Sequence, residues 1–285
     1  KKSINKLSII YMEFNAFKMD GLGNDFVIID QRHNKVELSN DQILKICDRD
    51  FIGCDQLIYI TENDKGDAGM EFYNSDGSKS DACGNGTRCV AYLLSKEKNK
   101  NEINLVVSSI ELKSKIFSDN LVETIIGIPK TNWNEIPIIK SLDTKNLGLE
   151  IKDNKNTVIN GGIGINVGNP HVIFFVNNID DFELEKIGPE IENNKLFPEK
   201  CNVTLAKKVT NNHYKVKVWE RGAGLTKACG TAACATAVAA NLDRLENTKT
   251  EIEFNLGKLL ISIDENKSIT MRGPVSKIEE IKINI

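Results

Sequence analysis

Residues 82–84 read Ala82-Cys83-Gly84, and the same tripeptide returns 146 positions later as Ala228-Cys229-Gly230. Each copy leads into a run of residues that can form a helix. Further pairs keep the same order at an offset of 145 or 146 residues: Gly23-Asn24 with Gly168-Asn169, Gln56 with Asn202, Asn74 with Glu220, and Pro129 with Pro274. A constant offset over most of a chain is typical of an internal duplication. The spacing therefore predicts two copies of one unit, over about residues 14–129 and 160–274.

Short runs of β-branched and aromatic residues dominate both copies and predict strands. These runs are 26–29, 57–60, 105–107, 172–175, 216–219 and 259–263. Helices are predicted over 39–47, with Ser39 as its cap, and over 84–95, 182–192 and 230–241. The Asn-, Lys- and Asp-rich segment 146–160 is expected to be a solvated linker, and the tail 277–285 a strand that returns to the first domain.

The length of 285 residues predicts two domains, and 40% hydrophobic with 27% charged residues is typical of a globular protein with a substantial core. We expect one domain over residues 1–129 plus 275–285, which carries Cys83. The other is expected over residues 130–274, which carry Cys229.

Charge and hydropathy argue against several classes of partner. A formal net charge of -3 offers no positive excess for nucleic acid, and no run of eighteen apolar residues exists that could cross a membrane. The apolar stretch within residues 1–11 is too short for a secretory signal, and these residues are expected to be an upstream extension of the fold. Seven cysteines, an odd number, predict free thiols and a cytoplasmic protein.

Two of the cysteines stand apart from the rest. Cys83 and Cys229 each begin a predicted helix, where unpaired backbone N–H groups and the helix dipole are expected to lower a thiol pKa. The glycine after each one lets a ligand approach the backbone, and a helix N-terminus of this kind also binds carboxylates. The other five are interpreted as small buried hydrophobic residues: Cys47, Cys54, Cys89, Cys201 and Cys234.

Two thiols on opposite faces of one carbon are suited to racemisation or epimerisation. One thiolate removes the α-proton, and the opposing thiol delivers a proton to the other face. Donors aimed at the developing oxyanion contribute roughly 2.7–4 kcal/mol each. The other interpretation is that Gly, Ala and Cys serve close helix packing. The histidines His33, His171 and His213 are far apart and no Cys-x-x-Cys spacing exists, so no metal site is expected.

Several motifs together resemble the diaminopimelate epimerases. They are Gly21-Leu22-Gly23-Asn24-Asp25-Phe26, Asp55-Gln56, Asn74-Ser75-Asp76-Gly77, Cys83-Gly84-Asn85-Gly86-Thr87-Arg88-Cys89, Gly168-Asn169-Pro170-His171, Glu220-Arg221-Gly222, Ala228-Cys229-Gly230-Thr231 and Gly273-Pro274. The resemblance implies an α+β fold of two pseudo-symmetric lobes, each a curved, mostly antiparallel sheet or barrel around a central helix. It also implies a homodimer that uses no cofactor and interconverts LL- and meso-diaminopimelate for lysine and cell-wall precursor synthesis.

The resemblance also implies roles for matched residues. Cys83 and Cys229 match the two catalytic bases, and His171 and Glu220 match residues that assist proton transfer. Arg221 is expected to bind the distal carboxylate of an amino-acid substrate in bidentate fashion. The implied substrate contacts are Asn24, Gln56, Asn74, Gly84, Asn85, Asn169, Asn202, Glu220, Arg221, Gly230 and Thr231.

Three positions depart from the family pattern: Asp20, Ala232 and Arg272. None of them removes a group that the mechanism needs, although Ala232 could narrow the carboxylate cradle. Three other functions stay open beside the leading one. They are a proline or hydroxyproline racemase of the same architecture, a thiol–disulfide redox protein that uses Cys83 and Cys229, and a non-catalytic small-molecule binding module.

Overall fold

The computed structural model describes residues 12–80, 83–118 and 120–285. The expected extension 1–11 and Ala82 of the first tripeptide lie outside the described residues. The helices are α1 (Asn40–Cys47), α2 (Gly84–Lys98), α3 (Leu184–Glu192) and α4 (Gly230–Ala240). The first strands are β1 (Glu13–Gly21), β2 (Asn24–Asp30), β3 (Gln56–Thr61), β4 (Ala68–Asn74), β5 (Lys79–Ser80), β6 (Glu102–Val107), β7 (Ile110–Ser118), β8 (Leu121–Gly127), β9 (Leu149–Lys152) and β10 (Val158–Gly161). The remaining strands are β11 (Ile163–Asn166), β12 (Pro170–Phe175), β13 (Asn202–Thr210), β14 (His213–Glu220), β15 (Gly224–Thr226), β16 (Thr248–Phe254), β17 (Gly257–Ile263), β18 (Ile269–Pro274) and β19 (Glu279–Asn284).

The two halves repeat one pattern of strand pairing. In the first half β1–β2 and β3–β4 are antiparallel, whereas β2–β3 and β4–β6 are parallel. In the second half β11–β12 and β13–β14 are antiparallel, whereas β12–β13 and β14–β16 are parallel. The offset found in the sequence recurs in the register, because Gln56 lies opposite Phe26 and Asn202 opposite His171 in the two parallel pairs. The expected α+β fold with two related halves is therefore confirmed.

One mixed sheet of seventeen strands runs through both halves of the described chain. The halves join where β8 pairs antiparallel with β18, from Leu121 opposite Pro274 to Gly127 opposite Ile269. The C-terminal strand β19 crosses back and pairs antiparallel with β1. The division into domains at 129/130 and 274/275 stays a prediction.

Each half wraps its strands around one central helix. The helix α2 is buried from Asn85 to Ser95 and packs against Phe26, Ile58 and Phe72, whereas α4 is buried along almost its whole length. The Ala, Cys and Gly residues of α4 are small enough for strands to approach this helix from every side. The packing interpretation of these small residues therefore holds for α4. It leaves open the chemistry at the N-terminus of that helix.

The prediction of a solvated linker over 146–160 was wrong. The segment contains β9 and β10, which form a separate two-stranded sheet. Leu147, Leu149 and Ile151 are buried and pack in the same cluster as Ile187 of α3. These apolar residues recur at every second position, which is the period of a strand with one buried face. Gly148 and Glu150 alternate with them and are exposed, and the Lys, Asp and Asn residues 152–156 lie at the end of β9 and in the turn that follows it.

Helix boundaries differ from the sequence predictions by one to three residues. Ser39 caps α1, as predicted, and forms a capping box with Gln42. The helix α2 continues to Lys98, and α3 begins at Leu184 because a short 3-10 turn, Ile179–Asp181, precedes it. Among the described residues no helix is both long and apolar enough to cross a membrane.

Candidate active site

A cavity of about 900 Å³ is lined by residues from both halves of the chain. It lies within the size range of small-molecule sites. The sequence-predicted site residues that line it are Asn24, Gln56, Asn74, Cys83, Gly84, Asn85, Asn169, Asn202, Glu220, Arg221, Cys229, Gly230 and Thr231. His171 does not line it and lies behind Asn169. The fold therefore gathers residues that are up to 207 positions apart in sequence.

The two Cys-Gly motifs meet at one buried methionine. Cys83 and Cys229 are the N-cap residues of α2 and α4, so each helix begins at the following glycine. A Cβ added to Gly84 would lie 2.5 Å from Met271 Cε, and one added to Gly230 would lie 2.9 Å from Met271 Sδ. Both helix N-termini therefore contact the same thioether, and no larger residue fits at either glycine without displacing it.

Asn24 accepts hydrogen bonds from both Cys83 and Asn85. The Cys83 thiol lies 3.4 Å from Asn24 Oδ1, and Asn85 Nδ2 donates to the same oxygen at 3.2 Å. The other end of the Asn24 amide donates to Asp55 at 3.1 Å. Since a carboxylate only accepts, Asp55 determines that Asn24 turns its oxygen toward Cys83. Cys83 is thus held both by its position at the start of α2 and by the side-chain oxygen of Asn24 at the start of β2.

Cys229 has the carboxyl group of Glu220 beside it, whereas Cys83 has no carboxyl hydrogen-bond partner among the described residues. Burial raises the pKa of Glu220, and hydrogen bonds from Thr226 and Cys229 oppose that rise. The Cys229 sulfur also lies 3.4 Å from Thr231 Oγ1. Because it is hydrogen-bonded to the Cys229 thiol, Glu220 is placed to accept the Cys229 proton.

The second half holds its polar residues through the backbone of neighbouring strands. Asn202 Nδ2 donates to the carbonyl oxygen of Pro170 at 2.9 Å, and its Oδ1 accepts from the backbone N–H of Arg221 at 2.9 Å. His171 Nε2 lies 2.8 Å from Asn169 Oδ1. Burial, with a smaller contribution from Arg221, lowers the pKa of His171 to about 3. His171 is therefore a neutral imidazole that orients Asn169 toward the cavity.

The corresponding residues of the first half bond to one another. Gln56 Nε2 donates to Asn74 Oδ1 at 3.0 Å and to Ser80 Oγ at 3.2 Å. Asn74 Nδ2 donates to Ser78 Oγ at 3.1 Å. These amides occupy the places that Asn202 and Glu220 occupy in the other half. The repeat thus keeps the position of both polar residues and changes the charge of one of them, Asn74 in the first half and Glu220 in the second.

The thiol pKa values run against the expectation from the helix N-termini. Burial raises the pKa of Cys83 to about 11 and raises that of Cys229 well above its ordinary value. The backbone N–H groups of Gly86 and Asn85 do lower the pKa of Cys83, but by less than burial raises it. The expected net lowering was therefore wrong. At neutral pH both side chains are thiols, and each needs an acceptor before it can act as a base.

Two residues of the site were quoted in motifs but given no role by the sequence. Asp55 lines the cavity and orients Asn24, while Arg88 is fully buried and donates to Asn85 Oδ1 at 2.8 Å. Arg88 could have been found from the sequence, because it is a charged residue within the otherwise uncharged, buried stretch Asn85 to Ser95. A buried charge needs a partner or a function. Asp55 carried no comparable signal.

A family model described as diaminopimelate epimerase matches residues 16–131 and 163–278, and so matches both halves. The diaminopimelate epimerase of Pelagibacter ubique is 67% identical over 274 residues, which cover 96% of this chain and 100% of that protein. The chain belongs to the diaminopimelate epimerase family. The diaminopimelate epimerase of Zymomonas mobilis is 38% identical over 269 residues, covering 94% of this chain and 96% of that protein. The resemblance drawn from the motifs is confirmed.

Solved structures with little sequence identity share the fold. A hydroxyproline epimerase from Agrobacterium vitis has a TM-score of 0.68 at 10% identity, covering 97% of this chain and 93% of that one. A phenazine biosynthesis protein of the PhzF family from Bacillus anthracis has a TM-score of 0.67 at 16% identity, covering 96% and 100%. At this identity the likeness shows the architecture alone. The diaminopimelate epimerase family is therefore identified by sequence, within a fold that several families share.

Proposed function

We propose that this protein epimerises LL-diaminopimelate to meso-diaminopimelate with two opposed thiols as the acid and the base, without a cofactor. The observation that carries the proposal is the placement of Cys83 and Cys229 at two helix N-termini that line one cavity and contact the same Met271. Family membership supports the substrate, a small amino acid. The product belongs to lysine and cell-wall precursor synthesis.

The proton transfers follow from the groups beside each sulfur. One thiol gives up its proton to a neighbouring acceptor, and for Cys229 that acceptor is Glu220. The thiolate then takes the α-proton as the C–H bond breaks, and the electron pair moves into the substrate carboxylate as an enediolate. The thiol on the opposite face protonates the α-carbon. The reverse reaction exchanges the roles of the sulfurs, so both are needed in each direction.

The helix N-termini stabilise the charge that develops on the carboxylate. Backbone N–H groups at Gly84, Gly230 and Thr231 are the donors, because the first turn of a helix leaves its N–H groups unpaired. Such donors contribute roughly 2.7–4 kcal/mol each to a transition state. Ala232 is fully buried within α4, so this departure from the family pattern lies in the helix packing.

The distal end of the substrate meets the part of the cavity where the two halves differ. Arg221, whose Nη1 donates to the carbonyl oxygen of Glu199 at 2.8 Å, is proposed to bind the distal carboxylate. The amides of Asn74, Asn169 and Asn202 are proposed to contact the distal amino acid group. A proline-type racemase substrate has no distal carboxylate, so the presence of a cation here favours diaminopimelate.

We assign the two lobes to residues 1–129 with 275–285 and to residues 130–274, and we expect a homodimer in the cytoplasm. The pairing of β19 with β1 supports placing the tail with the first lobe. All seven cysteines are free thiols, which suits a reducing compartment. The homodimer rests on family membership. Light scattering coupled to size exclusion checks it, and a monomer at micromolar concentration would contradict it.

Exchange of the substrate α-proton with solvent deuterium tests the proposed reaction directly. NMR in deuterated water should show α-deuterium and meso product from LL-diaminopimelate, and neither from proline. Cys83→Ala and Cys229→Ala should each lower epimerisation by about 100-fold to 10,000-fold, the range of a lost acid or base. A single variant that keeps full turnover would rule out the two-thiol mechanism. Exchange with proline at a comparable rate would reassign the substrate.

A further inference from the structure

Cys47 and Cys54 form a second pair of thiols, outside the cavity described above. Cys47 ends α1 and Cys54 lies two residues before β3, and their sulfur atoms are 3.4 Å apart. The backbone already closes the loop between them. The N–H of Cys54 donates to the carbonyl oxygen of Cys47 at 3.2 Å, and the N–H of Gly53 donates to that of Ile46 at 3.0 Å. The sulfurs are therefore held together by the local fold.

A second surface cavity of about 550 Å³ reaches this pair and shares Asp55 and Ser75 with the larger one. Its lining residues are Leu44, Lys45, Cys47, Asp48, Arg49, Cys54, Asp55 and Ser75. Cys47 and Cys54 are themselves only 4% and 1% exposed. Of the residues between them, 48–51 are exposed, whereas Ile52 is half-buried and Gly53 is buried. A small molecule in this cavity therefore lies beside both thiols, next to the exposed residues 48–51.

The charges around the pair favour one of the two sulfurs as a nucleophile. Cys54 donates its S–H to Cys47, and this hydrogen bond, with help from Arg49, lowers the pKa of Cys47 below its ordinary value. The same hydrogen bond and burial raise the pKa of Cys54. Ion pairs to Asp25 and Asp55 keep the Arg49 guanidinium in place. The pair thus has an attacking thiol and a proton-bearing second thiol.

We propose that Cys47 and Cys54 form a thiol–disulfide exchange site, distinct from Cys83 and Cys229, whose co-substrate is a small dialkyl disulfide. The Cys47 thiolate attacks one sulfur of that molecule, its S–S bond breaks, and one small thiol leaves after taking a proton. Cys54 then loses its proton and attacks the Cys47 sulfur of the mixed disulfide, which releases the second small thiol. The protein is oxidised by two electrons, and the disulfide is reduced to two thiols.

The geometry requires little rearrangement for this step. A disulfide has an S–S length of about 2.05 Å, so the two sulfurs, now 3.4 Å apart, must approach each other by ~1.4 Å. The exposed loop 48–51 can absorb this movement, because its side chains lie outside the core. By contrast Cys89, Cys201 and Cys234 have no exposed surface at all. These three provide internal controls that should not react.

Peptide analysis with oxidised glutathione tests the proposal. A Cys83→Ser/Cys229→Ser chain, which lacks the proposed catalytic thiols, is incubated with oxidised glutathione, blocked with N-ethylmaleimide and digested with trypsin. Cleavage after Lys45, Arg49 and Lys65 separates Cys47 from Cys54. We expect peptides 46–49 and 50–65 to become linked as the main form, and dithiothreitol to separate them. The wild-type chain should give the same linked pair.

Single variants identify the attacking sulfur. With Cys54→Ser, glutathione should stay on Cys47 as a mixed disulfide, because no second thiol can displace it. With Cys47→Ser, Cys54 should stay unmodified. The proposal is overturned when both cysteines of the Cys83→Ser/Cys229→Ser chain are recovered as maleimide adducts after treatment with oxidised glutathione. Glutathione on Cys54 in the Cys47→Ser variant, with none on Cys47 in the other, would overturn the assigned order.

Discussion

Arg88 Nη2 donates a hydrogen bond to Asn85 Oδ1 at 2.8 Å from a side chain that has no exposed surface. A guanidinium only donates, so Asn85 must turn its Nδ2 toward Asn24. Asp55 only accepts, so Asn24 must turn its Oδ1 toward Asn85 and Cys83. Arg88 and Asp55 are the charged residues at the two ends of this series of hydrogen bonds. They therefore determine the orientation of both amides beside the Cys83 thiol.

Arg88→Met should lower activity without lowering stability. Nε and Nη1 of Arg88 are buried without a partner among the described residues, and burial lowers the Arg88 pKa. Replacing such a charge by an apolar side chain is often neutral or stabilising. Asn85 meanwhile loses the donor that orients it beside Cys83, and a loss of about 1–3 kcal/mol in transition-state stabilisation lowers kcat/KM roughly fivefold to 150-fold. Thermal unfolding and α-proton exchange measure the two effects.

Arg88→Lys serves as the matched control for this variant, because it keeps a charge and one donor. It should recover part of the lost kcat/KM. An Arg88→Met protein with wild-type turnover would show that Asn85 is oriented without Arg88.

Glu220→Gln should slow epimerisation by about 100-fold to 10,000-fold, since the amide cannot accept the Cys229 proton. Glutamine keeps the size of the side chain and can still accept a hydrogen bond from Thr226, so the fold should persist. The measurement is kcat in both directions, from LL-diaminopimelate and from meso-diaminopimelate. Thr226→Val, which removes only a hydrogen bond to the carboxyl group, should have a much smaller effect. Equal losses in the two variants would contradict a proton-accepting role.

Alkylation of Cys83 by iodoacetamide should be slow at neutral pH and rise steeply with pH. The thiolate is the reactive form, and burial raises the pKa of Cys83 to about 11. Below that pH the thiolate fraction increases about tenfold per pH unit. Mass spectrometry of the peptide that contains Cys83 gives the rate between pH 7 and pH 10. A rate that levels off below pH 9 would mean that the helix N–H groups outweigh burial.

His171 should make the protein less stable in acid. In the unfolded chain it binds a proton below about pH 6.5, whereas in the folded chain burial lowers its pKa to about 3. Between these values the unfolded state binds more protons, so the free energy of unfolding falls as the pH falls, by up to about 1.4 kcal/mol per unit from this group. Urea unfolding at pH 7 and pH 4.5 should show a smaller loss for His171→Gln than for wild type. An equal loss in the free energy of unfolding of both proteins would mean that a group other than His171 titrates between these pH values.

The sequence was most informative where a residue type has few other uses. Repeated Cys-Gly motifs at a constant offset predicted the duplication, and thirteen of the fourteen named site residues line one cavity. Short β-branched runs predicted strands because the alternation of side chains along a strand depends only on neighbouring residues. The segment 146–160 was misread because its polar residues were weighed by composition, whereas its buried Leu149 and Ile151 follow a strand period.

By itself the sequence determined the family, the repeat, the local elements and the identity of most residues in the site, since these depend on residue type and spacing. Only the tertiary structure decided the protonation states and the orientation of the amides. Burial outweighed the helix N-termini at Cys83, and Arg88 and Asp55 oriented Asn85 and Asn24 from positions 3 and 31 residues away. Solvation and hydrogen-bond direction depend on which groups surround an atom in space, and such neighbours come from all parts of the chain.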